Sequence, residues 1–307
     1  MRWKKLCAIC GAAVLITSTA FSAESDSISE VRAHEIDYDM DTGVVAASGK
    51  VFMSNSAKAG APASQNKIPS EVNADNVSYD MNTGVINASG NVLLKYGSDR
   101  ATGERASYNT NTQEAYLSGG VIVTREDLKI TCENLYNDAY GHMQATGNVH
   151  GVQKIAPSAQ YPNGDTRTFT GEHVDYYPND KKHIFIPTGG LITGNDGNFS
   201  ADQMEAWLDD EYYTGTGNVH IVNPPRELEA GGDRVDYYAK DNGRAVLTGN
   251  AWAIQKNNTL RGNSLTVYLA DERKTPAVEN PAPAATPFKT KTYVAPHEIL
   301  SDRPFEN

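Results

Sequence analysis

The chain has 307 residues, a formal net charge of −11 and 39% hydrophobic residues. This acidic balance argues against nucleic acid as a partner, because phosphate binding needs a surplus of lysine and arginine. Residues 1–23 read as a secretory signal peptide, in which three basic residues precede an apolar run from Leu6 to Ile16 and then small residues. Cleavage could follow Ala20, Ser22 or Ala23. The apolar run is too short to span a bilayer, and a retained N-terminal anchor is the alternative.

Export through this signal predicts a periplasmic protein without an internal disulfide. Removing residues 1–23 leaves Cys132 as the one cysteine of three. It also leaves 24 basic side chains against 38 acidic ones, a formal charge of −14. Stability must therefore come from a packed core and from backbone hydrogen bonds rather than from cross-links.

A repeated pattern runs from about residue 30 to residue 270. Residues 74–92 repeat residues 33–51 with an offset of 41 positions, and one glycine anchors each copy. Successive anchors are 41, 29, 28, 42, 28 and 32 residues apart, which indicates a unit of about 28 residues with two insertions. A partial eighth copy starts at Gly262. The anchors are Gly49, Gly90, Gly119, Gly147, Gly189, Gly217 and Gly249.

This pattern divides the chain. The insertions, Asn55–Ser70 and Lys154–Thr168, are rich in Ala, Pro, Ser, Asn and Gln, so we predict surface loops there. The last segment is rich in Pro and Ala without a period and is predicted to be disordered, with a strand near Phe288–Val294 as the alternative. The predicted segments are 1–23 (signal peptide), 24–152 (first half of the repeats), 153–270 (second half) and 271–307 (tail).

Each unit is predicted to be a pair of strands. Counting by twos through an anchor such as Gly90 gives apolar residues on one parity, Ile86, Ala88, Val92 and Leu94, and polar residues on the other. The first half of each unit alternates in the same way, and segments such as 80–84 suit a turn closed by a residue with positive φ. Seven units and a partial eighth therefore predict 14 to 16 short strands.

The anchoring glycines have a backbone explanation. A glycine within a strand permits a bulge, a bend or the close approach of another backbone. An ordinary turn at each Gly-Asn-Val is the alternative. We expect bends, because a curved sheet needs such points at regular intervals.

The repeat resembles the OstA-like family of LptA-type periplasmic lipopolysaccharide transport proteins. The likeness rests on the Ala-Asp-x-Val-x-Tyr strand at Ala74–Tyr79, the Thr-Gly-Val-Ile turn that follows, and the Ala-x-Gly-Asn-Val strand at Ala88–Val92. It covers nearly all of residues 30–270. The chain differs in being about twice as long as a minimal member and in its two insertions.

The resemblance implies an all-β fold: an elongated antiparallel β-jellyroll, or β-taco, of about 7–8 two-strand repeats with an open apolar groove that holds acyl chains. It implies inner-membrane LptC-like and outer-membrane LptD-like partners that pair edge strands, and head-to-tail self-association. No cofactor is implied. The residues expected to line the groove, or else a closed core, are Val51, Tyr79, Ile86, Val92, Leu94, Leu117, Val121, Val123, Val149 and Val219.

The sequence carries no catalytic motif that would indicate an enzyme. His150 and His220 each follow a Gly-Asn-Val, but their distance in sequence and their surface parity favour solvated histidines over metal ligands. One rival is a parallel β-helix that binds or cleaves polysaccharide with paired carboxylates such as Asp209 and Asp210. A second rival is a structural or adhesin repeat without a ligand.

Overall fold

A computed structural model describes residues 30–54, 70–96, 98–125, 127–157, 163–195, 197–238, 240–241 and 243–268. The predicted signal peptide, the C-terminal tail and the alternative strand at Phe288–Val294 lie outside these residues, so they stay predictions. Within the described ranges no helix has the length and apolar character needed to cross a bilayer.

The described chain is built almost wholly from strands, because its alternating apolar residues can be buried only on a pleated surface. A single 3-10 turn, Pro224–Arg226, joins two of the strands. The strands are β1 Glu30–Arg32, β2 Glu35–Asp39, β3 Val44–Ser54, β4 Ser70–Asp80, β5 Val85–Tyr96, β6 Asp99–Asn109, β7 Glu114–Arg125, β8 Leu128–Asn137, β9 Met143–Ile155, β10 Asp165–Tyr177, β11 His183–Ile186, β12 Gly190–Gly194, β13 Gly197–Ala201, β14 Gln203–Trp207, β15 Tyr212–Asn223, β16 Leu228–Tyr238, β17 Arg244–Gln255 and β18 Asn258–Tyr268.

Most strands pair antiparallel with their neighbours in the chain. β3 to β10 form one uninterrupted succession of hairpins, and β15 to β18 form another. Between them, β11 and β12 together pair with β10, while β14 and β13 together pair with β15. The all-β antiparallel prediction is confirmed. The parallel β-helix alternative is wrong, because every pairing among the described strands is antiparallel.

Six of the seven anchoring glycines are bends inside strands rather than turns between them, whereas Gly189 lies between β11 and β12. At Gly90 and Asn91 the φ angles are +75° and +49°, and the register with β4 and β6 slips at this point. The same left-handed pair recurs at Gly147–Asn148, Gly217–Asn218 and Gly249–Asn250. Two successive left-handed residues make a β-bulge that turns the strand sharply. The bulge prediction therefore holds for these copies, and the ordinary-turn alternative does not.

The bulges divide the long strands into two arms. Arm 1 holds the segments on one side of the bulges, and arm 2 holds those on the other side. Arm 1 comprises residues 35–39, 44–48, 76–80, 85–89, 105–109, 114–118, 134–137, 143–146, 173–177, 183–186, 203–207, 212–216, 234–238, 244–248 and 264–268. Arm 2 comprises residues 30–32, 51–54, 70–74, 92–96, 99–103, 121–125, 128–132, 149–155, 165–171, 190–194, 197–201, 219–223, 228–232, 251–255 and 258–262.

On the outer side of several bends, an aspartate carboxylate accepts a hydrogen bond from the asparagine of the bend. Asn91 Nδ2 donates to Asp75 Oδ2 at 2.8 Å, and Asn218 Nδ2 donates to Asp202 Oδ2 at 2.7 Å. A Cβ atom built on Gly90 would lie 2.4 Å from Asp75 Oδ2, so the carboxylate occupies the space that only a glycine leaves open. This contact explains why Ala-Asp-x-Val and Gly-Asn-Val occur together in the repeat.

The hairpins at the edge of arm 1 bind one another. Asp80 Oδ1 accepts the backbone N–H groups of Asn82 and Thr83, which closes the turn after β4. Asn82 Nδ2 then donates to the carbonyl of Thr42 in the preceding turn at 2.7 Å. The turn after β6 repeats this geometry, with Asn111 Nδ2 donating to Thr83. Stacked turns of this kind hold neighbouring units in register.

Both insertions connect strands of arm 2, and both are shorter than predicted. Ser70 already belongs to β4, so that insertion occupies 55–69. Lys154 and Ile155 end β9, and Asp165–Thr168 begin β10. The polar composition of the second insertion resembled a loop, but Asp165 and Arg167 near its end alternate as buried residues of a strand. The predicted division between residues 152 and 153 falls inside β9, which pairs with β10 on both sides of it.

Candidate functional site

The inner faces of the two arms enclose an apolar interior, which is the candidate functional site. Side chains from one arm contact the backbone of the other at glycines. A Cβ atom built on Gly103 of arm 2 would lie 3.0 Å from Leu117 Cδ1 of arm 1, and one built on Gly190 of arm 2 would lie 2.7 Å from Met204 Sδ of arm 1. The missing side chains therefore let the arms approach closely.

The structure places all ten predicted residues on this inner face. On arm 1, Leu117 is buried, whereas Tyr79 and Ile86 are half-buried near the hairpins. On arm 2, Leu94 is half-buried. The remaining six are buried on arm 2: Val51, Val92, Val121, Val123, Val149 and Val219. The parity count thus brought the correct side chains together, and lipid contact at these residues stays a prediction.

Three ionisable side chains on the inner face, two tyrosines and one cysteine, are held neutral. Burial raises the pKa of Tyr108 to about 12, and it raises the pKa of Tyr176 as well. Burial, followed by the negative charge of Glu133, raises the pKa of the free thiol of Cys132 to about 12. Desolvation favours the uncharged form of each group, so none of the three adds charge to the interior near neutral pH.

The apolar interior ends at charged residues on the hairpin side of arm 2. Arg167 and Asp165 are both buried, and Arg167 Nε donates to Asp165 Oδ2 at 2.8 Å. Arg125 Nε lies 3.6 Å from Asp99 Oδ2 in a similar position. Each arginine therefore has a counter-charge beside it, as burial of charge requires. The sequence analysis missed Arg167, although the alternation Asp165, Arg167, Phe169 was a signal for a strand.

Two buried phenylalanines, also missed, fill the interior. Phe169 and Phe199 lie on the inner face of arm 2, with Ile192 between them in the cross-strand register. Phe169 lies over Gly151, where a Cβ atom would come within 1.9 Å of its ring. These positions follow the second insertion, where the repeat drifts most, so the glycine-anchored count did not extend to them.

The outer face of arm 1 carries a row of stacked rings in the second half of the repeats, the outer aromatic ladder. Its ring centroids are separated by 4.3 Å for His142 and Tyr177, 4.5 Å for His183 and Trp207, and 5.1 Å for Tyr212 and Tyr238. Such cross-strand aromatic pairs stabilise antiparallel sheets. We assign the ladder a structural role.

The rival site residues are on the surface and engaged in ordinary contacts. Asp209 Oδ1 accepts a hydrogen bond from Lys182 Nζ at 2.7 Å, and Asp210 Oδ2 accepts one from Lys181 Nζ at 2.8 Å. These hydrogen bonds raise the pKa of both lysines. His220 Nε2 lies 2.8 Å from Glu229 Oε1. In the part of the chain that the structure describes, no three His, Cys, Asp or Glu side chains group closely enough to hold a metal ion.

Comparisons with known proteins agree with the sequence pattern. Residues 71–212 match the family model described as "LptA/(LptD N-terminal domain) LPS transport protein". Among solved structures, the chain is similar to LptH of Pseudomonas aeruginosa, described as the LptA homologous periplasmic component of the lipopolysaccharide transport device. The identity is 16%, the TM-score is 0.33, and the alignment covers 39% of this chain and 82% of LptH. No curated protein sequence matches significantly. Residues 71–212, which contain β5 to β14, are thus similar in sequence to the family of LptA and LptD N-terminal domains that this model describes.

Proposed function

We propose that this protein binds lipopolysaccharide by its acyl chains in the interior between the arms and carries it through the periplasm from the inner to the outer membrane. One observation carries the proposal. Apolar side chains of both arms line a single interior that extends through the family-matched segment, including Val92, Leu117, Val121 and Val149. Apolar ligands bind in enclosures of this kind.

The acidic charge of the protein does not oppose this function. Burying an acyl chain of about 12 carbons contributes on the order of 10 kcal/mol, at about 0.8 kcal/mol per CH₂ group. An exposed contact between a charged group on the protein and a lipid phosphate is worth about 0 to 1 kcal/mol. The acyl chains therefore dominate the affinity, and repulsion between surface charges changes it little.

Loading requires the two arms to separate along their hairpin edges. Val92, Val121 and Val149 are at most 2% exposed, so an acyl chain must displace protein contacts to reach them. The arms are least closed in the first half of the repeats, where Tyr79, Ile86 and Leu94 remain half-buried. We propose that acyl chains first contact these three residues.

Partners would pair with the two terminal strands. β2 pairs on one side with β3, and β18 pairs on one side with β17, so among the described strands each leaves one edge unpaired. Most side chains of both strands are exposed. An unpaired edge is a template for strand addition. LptC-like and LptD-like proteins, or a second copy joined head to tail, are the proposed partners.

The test is photo-crosslinking of lipopolysaccharide to the purified protein at matched positions on opposite faces. Val121 faces inward and is fully buried, whereas Ile122 faces outward and is 37% exposed. Val92 is paired with Asn87 as its outward control, because Asn91 has a φ of +49° and tolerates few replacements. Crosslinks at Val92 and Val121 but not at Ile122 or Asn87 are expected.

Because the interior is closed, a structural repeat without a ligand is a second candidate function. This candidate expects no crosslink at any of the four positions while the protein remains folded, as judged by its β-sheet circular dichroism. Equal crosslinking on both faces would also contradict the carrier proposal, because it would indicate adhesion of lipid to the outside.

A further inference from the structure

The ring of Phe199 reaches across the interior from arm 2 to arm 1. Phe199 lies on β13, where it pairs with Ile192 and Ile221 of arm 2. A Cβ atom built on Gly215, which belongs to arm 1, would lie 2.7 Å from Phe199 Cζ. No other residue type at position 215 would leave room for the ring. Phe199 is 3% exposed, so its ring lies inside the fold and not at the surface.

The hairpin edge of the interior is least closed at its β4–β5 end, on one side of this ring. A row of inward residues next to the arm 1 hairpins can be followed by cross-strand pairs from Tyr79 to Ala245. Toward β4, Tyr79 and Ile86 of this row are half-buried. Toward β17, Tyr237 and Ala245 are each 1% exposed. Between these ends Tyr108, Met143 and Tyr176 are also buried. Beyond Phe199 the hairpin edge is therefore sealed, and acyl chains could enter the row only from its β4–β5 end.

The chain also provides a weak point at the ring. Most long strands run through their bulges without a break, but here two neighbouring strands are interrupted at the bend. Residues 187–189 separate β11 from β12, and Asp202, whose N–H still donates to the carbonyl of Gly217 at 2.8 Å, separates β13 from β14. A bend with fewer ladder hydrogen bonds opens at a lower free-energy cost than a continuous strand.

A cavity lies directly against the ring. It has a volume of about 20 Å³ and is lined by apolar side chains of both arms, with Ile186 and Met204 on arm 1 and Ile192 on arm 2. A void forfeits packing contacts on the surfaces that line it. Neighbouring side chains consequently have space into which they can move when the ring turns.

We propose that Phe199 is a specificity-determining barrier that divides the interior into two acyl-chain compartments, one formed by β3 to β10, which acyl chains enter at its half-buried β4–β5 end, and a sealed one formed by β15 to β17. Acyl chains pass into the second compartment only when the arms hinge apart at the β11–β14 interruption and the ring leaves Gly215. This inference rests on the proposed function for its ligand class. The barrier itself is defined by contacts within the protein.

The experiment labels the purified protein with dodecanoic acid that carries a diazirine at its chain end, and locates the labelled residues by mass spectrometry. Labelling of inward residues in β4 to β9 is expected to exceed that in β16 and β17 by about tenfold or more. In Phe199→Ala this ratio is expected to fall close to one. Phe199→Leu, which keeps most of the apolar volume, is expected to give an intermediate ratio and serves if the alanine variant does not fold.

Phe185→Ala is the matched control, because Phe185 alternates with the buried Ile184 and Ile186 and so faces outward in β11. Its labelling ratio is expected to equal that of the unchanged protein. A ratio near one in the unchanged protein, an unchanged ratio in folded Phe199 variants, or no labelling anywhere would overturn the barrier. Unequal labelling that Phe199→Ala abolishes, together with no lipopolysaccharide crosslink at Val121, would support the barrier while overturning the carrier function.

Discussion

Substitution of glycine at two bends separates the cost of backbone strain from the cost of lost space. Gly90 and Gly120 both have left-handed backbones, with φ of +75° and +61°. A Cβ atom on Gly120 would have nothing within 4 Å, whereas one on Gly90 would lie 2.4 Å from Asp75 Oδ2 and 2.9 Å from Asp75 Cβ. The same substitution to alanine therefore meets the same strain at both positions and a steric clash at one.

The expected losses of unfolding free energy follow from these contacts. Alanine in the left-handed region costs about 1–2 kcal/mol, which the stiffer unfolded chain offsets by up to about 1 kcal/mol. Gly120→Ala should therefore lose about 1 kcal/mol. Gly90→Ala should lose about 1–2 kcal/mol more, because Asp75 must move and its hydrogen bond to Asn91 is lost.

Urea unfolding of each variant, compared with the unchanged protein, measures these differences. Gly120→Asn is a further control, because asparagine occupies the equivalent position with φ of +49° at Asn91 and +48° at Asn148, and its stability should be close to that of the unchanged protein. Equal losses in Gly90→Ala and Gly120→Ala would refute the assignment of Asp75 as the group that fills the bend.

Three further predictions concern single side chains. Asn82→Ala should lower the unfolding free energy by about 0.5–1.5 kcal/mol, because it removes the hydrogen bond to Thr42 between turns, and an unchanged urea midpoint would contradict this role. Cys132 should react with iodoacetamide at pH 8 far more slowly than it does in urea, because burial raises its pKa to about 12, and equal rates would show that the interior is open. Hydrogen bonds from the Thr83 side chain and then from the backbone lower the pKa of Asp80, so its contribution to stability is present above the ordinary value of 3.8 and is lost as the pH falls through its folded pKa. The stability difference between the unchanged protein and Asp80→Asn should shrink over that acidic range and stay constant above about pH 5.

The sequence was sufficient to predict the strands and their inner faces wherever the glycine anchor gave a fixed starting point. Counting by twos from Gly90 and Gly119 placed Val92 and Val121 correctly, since the period of a strand is two and a bulge was expected at the glycine. The antiparallel hairpins followed from turns such as that at Asp80. These features depend on local chemistry, which a single unit of the repeat contains in full.

The closure of the interior could not be predicted in this way. Whether Ile86 stays half-buried while Tyr237 is sealed depends on contacts between arms that are distant in sequence. Arg167 and Phe199 were missed because the pattern drifts after the second insertion and because a buried arginine in polar sequence resembles a loop. Asp165 can be recognised as the buried counter-charge of Arg167 only once both residues are known to lie on one strand.

The left-handed Gly-Asn bend has a consequence for how such a protein can change. The bend is formed by backbone conformation and by groups on its outer side, such as Asp75 and Asn91, and it requires no particular inward residue. Substitutions of inward residues can therefore change the side chains that line the interior without changing the curvature of the sheet. A valine-lined section around Val121 and a ring-filled section around Phe199 coexist in one chain for this reason, and the capacity of each section can be adjusted independently of the backbone that holds it.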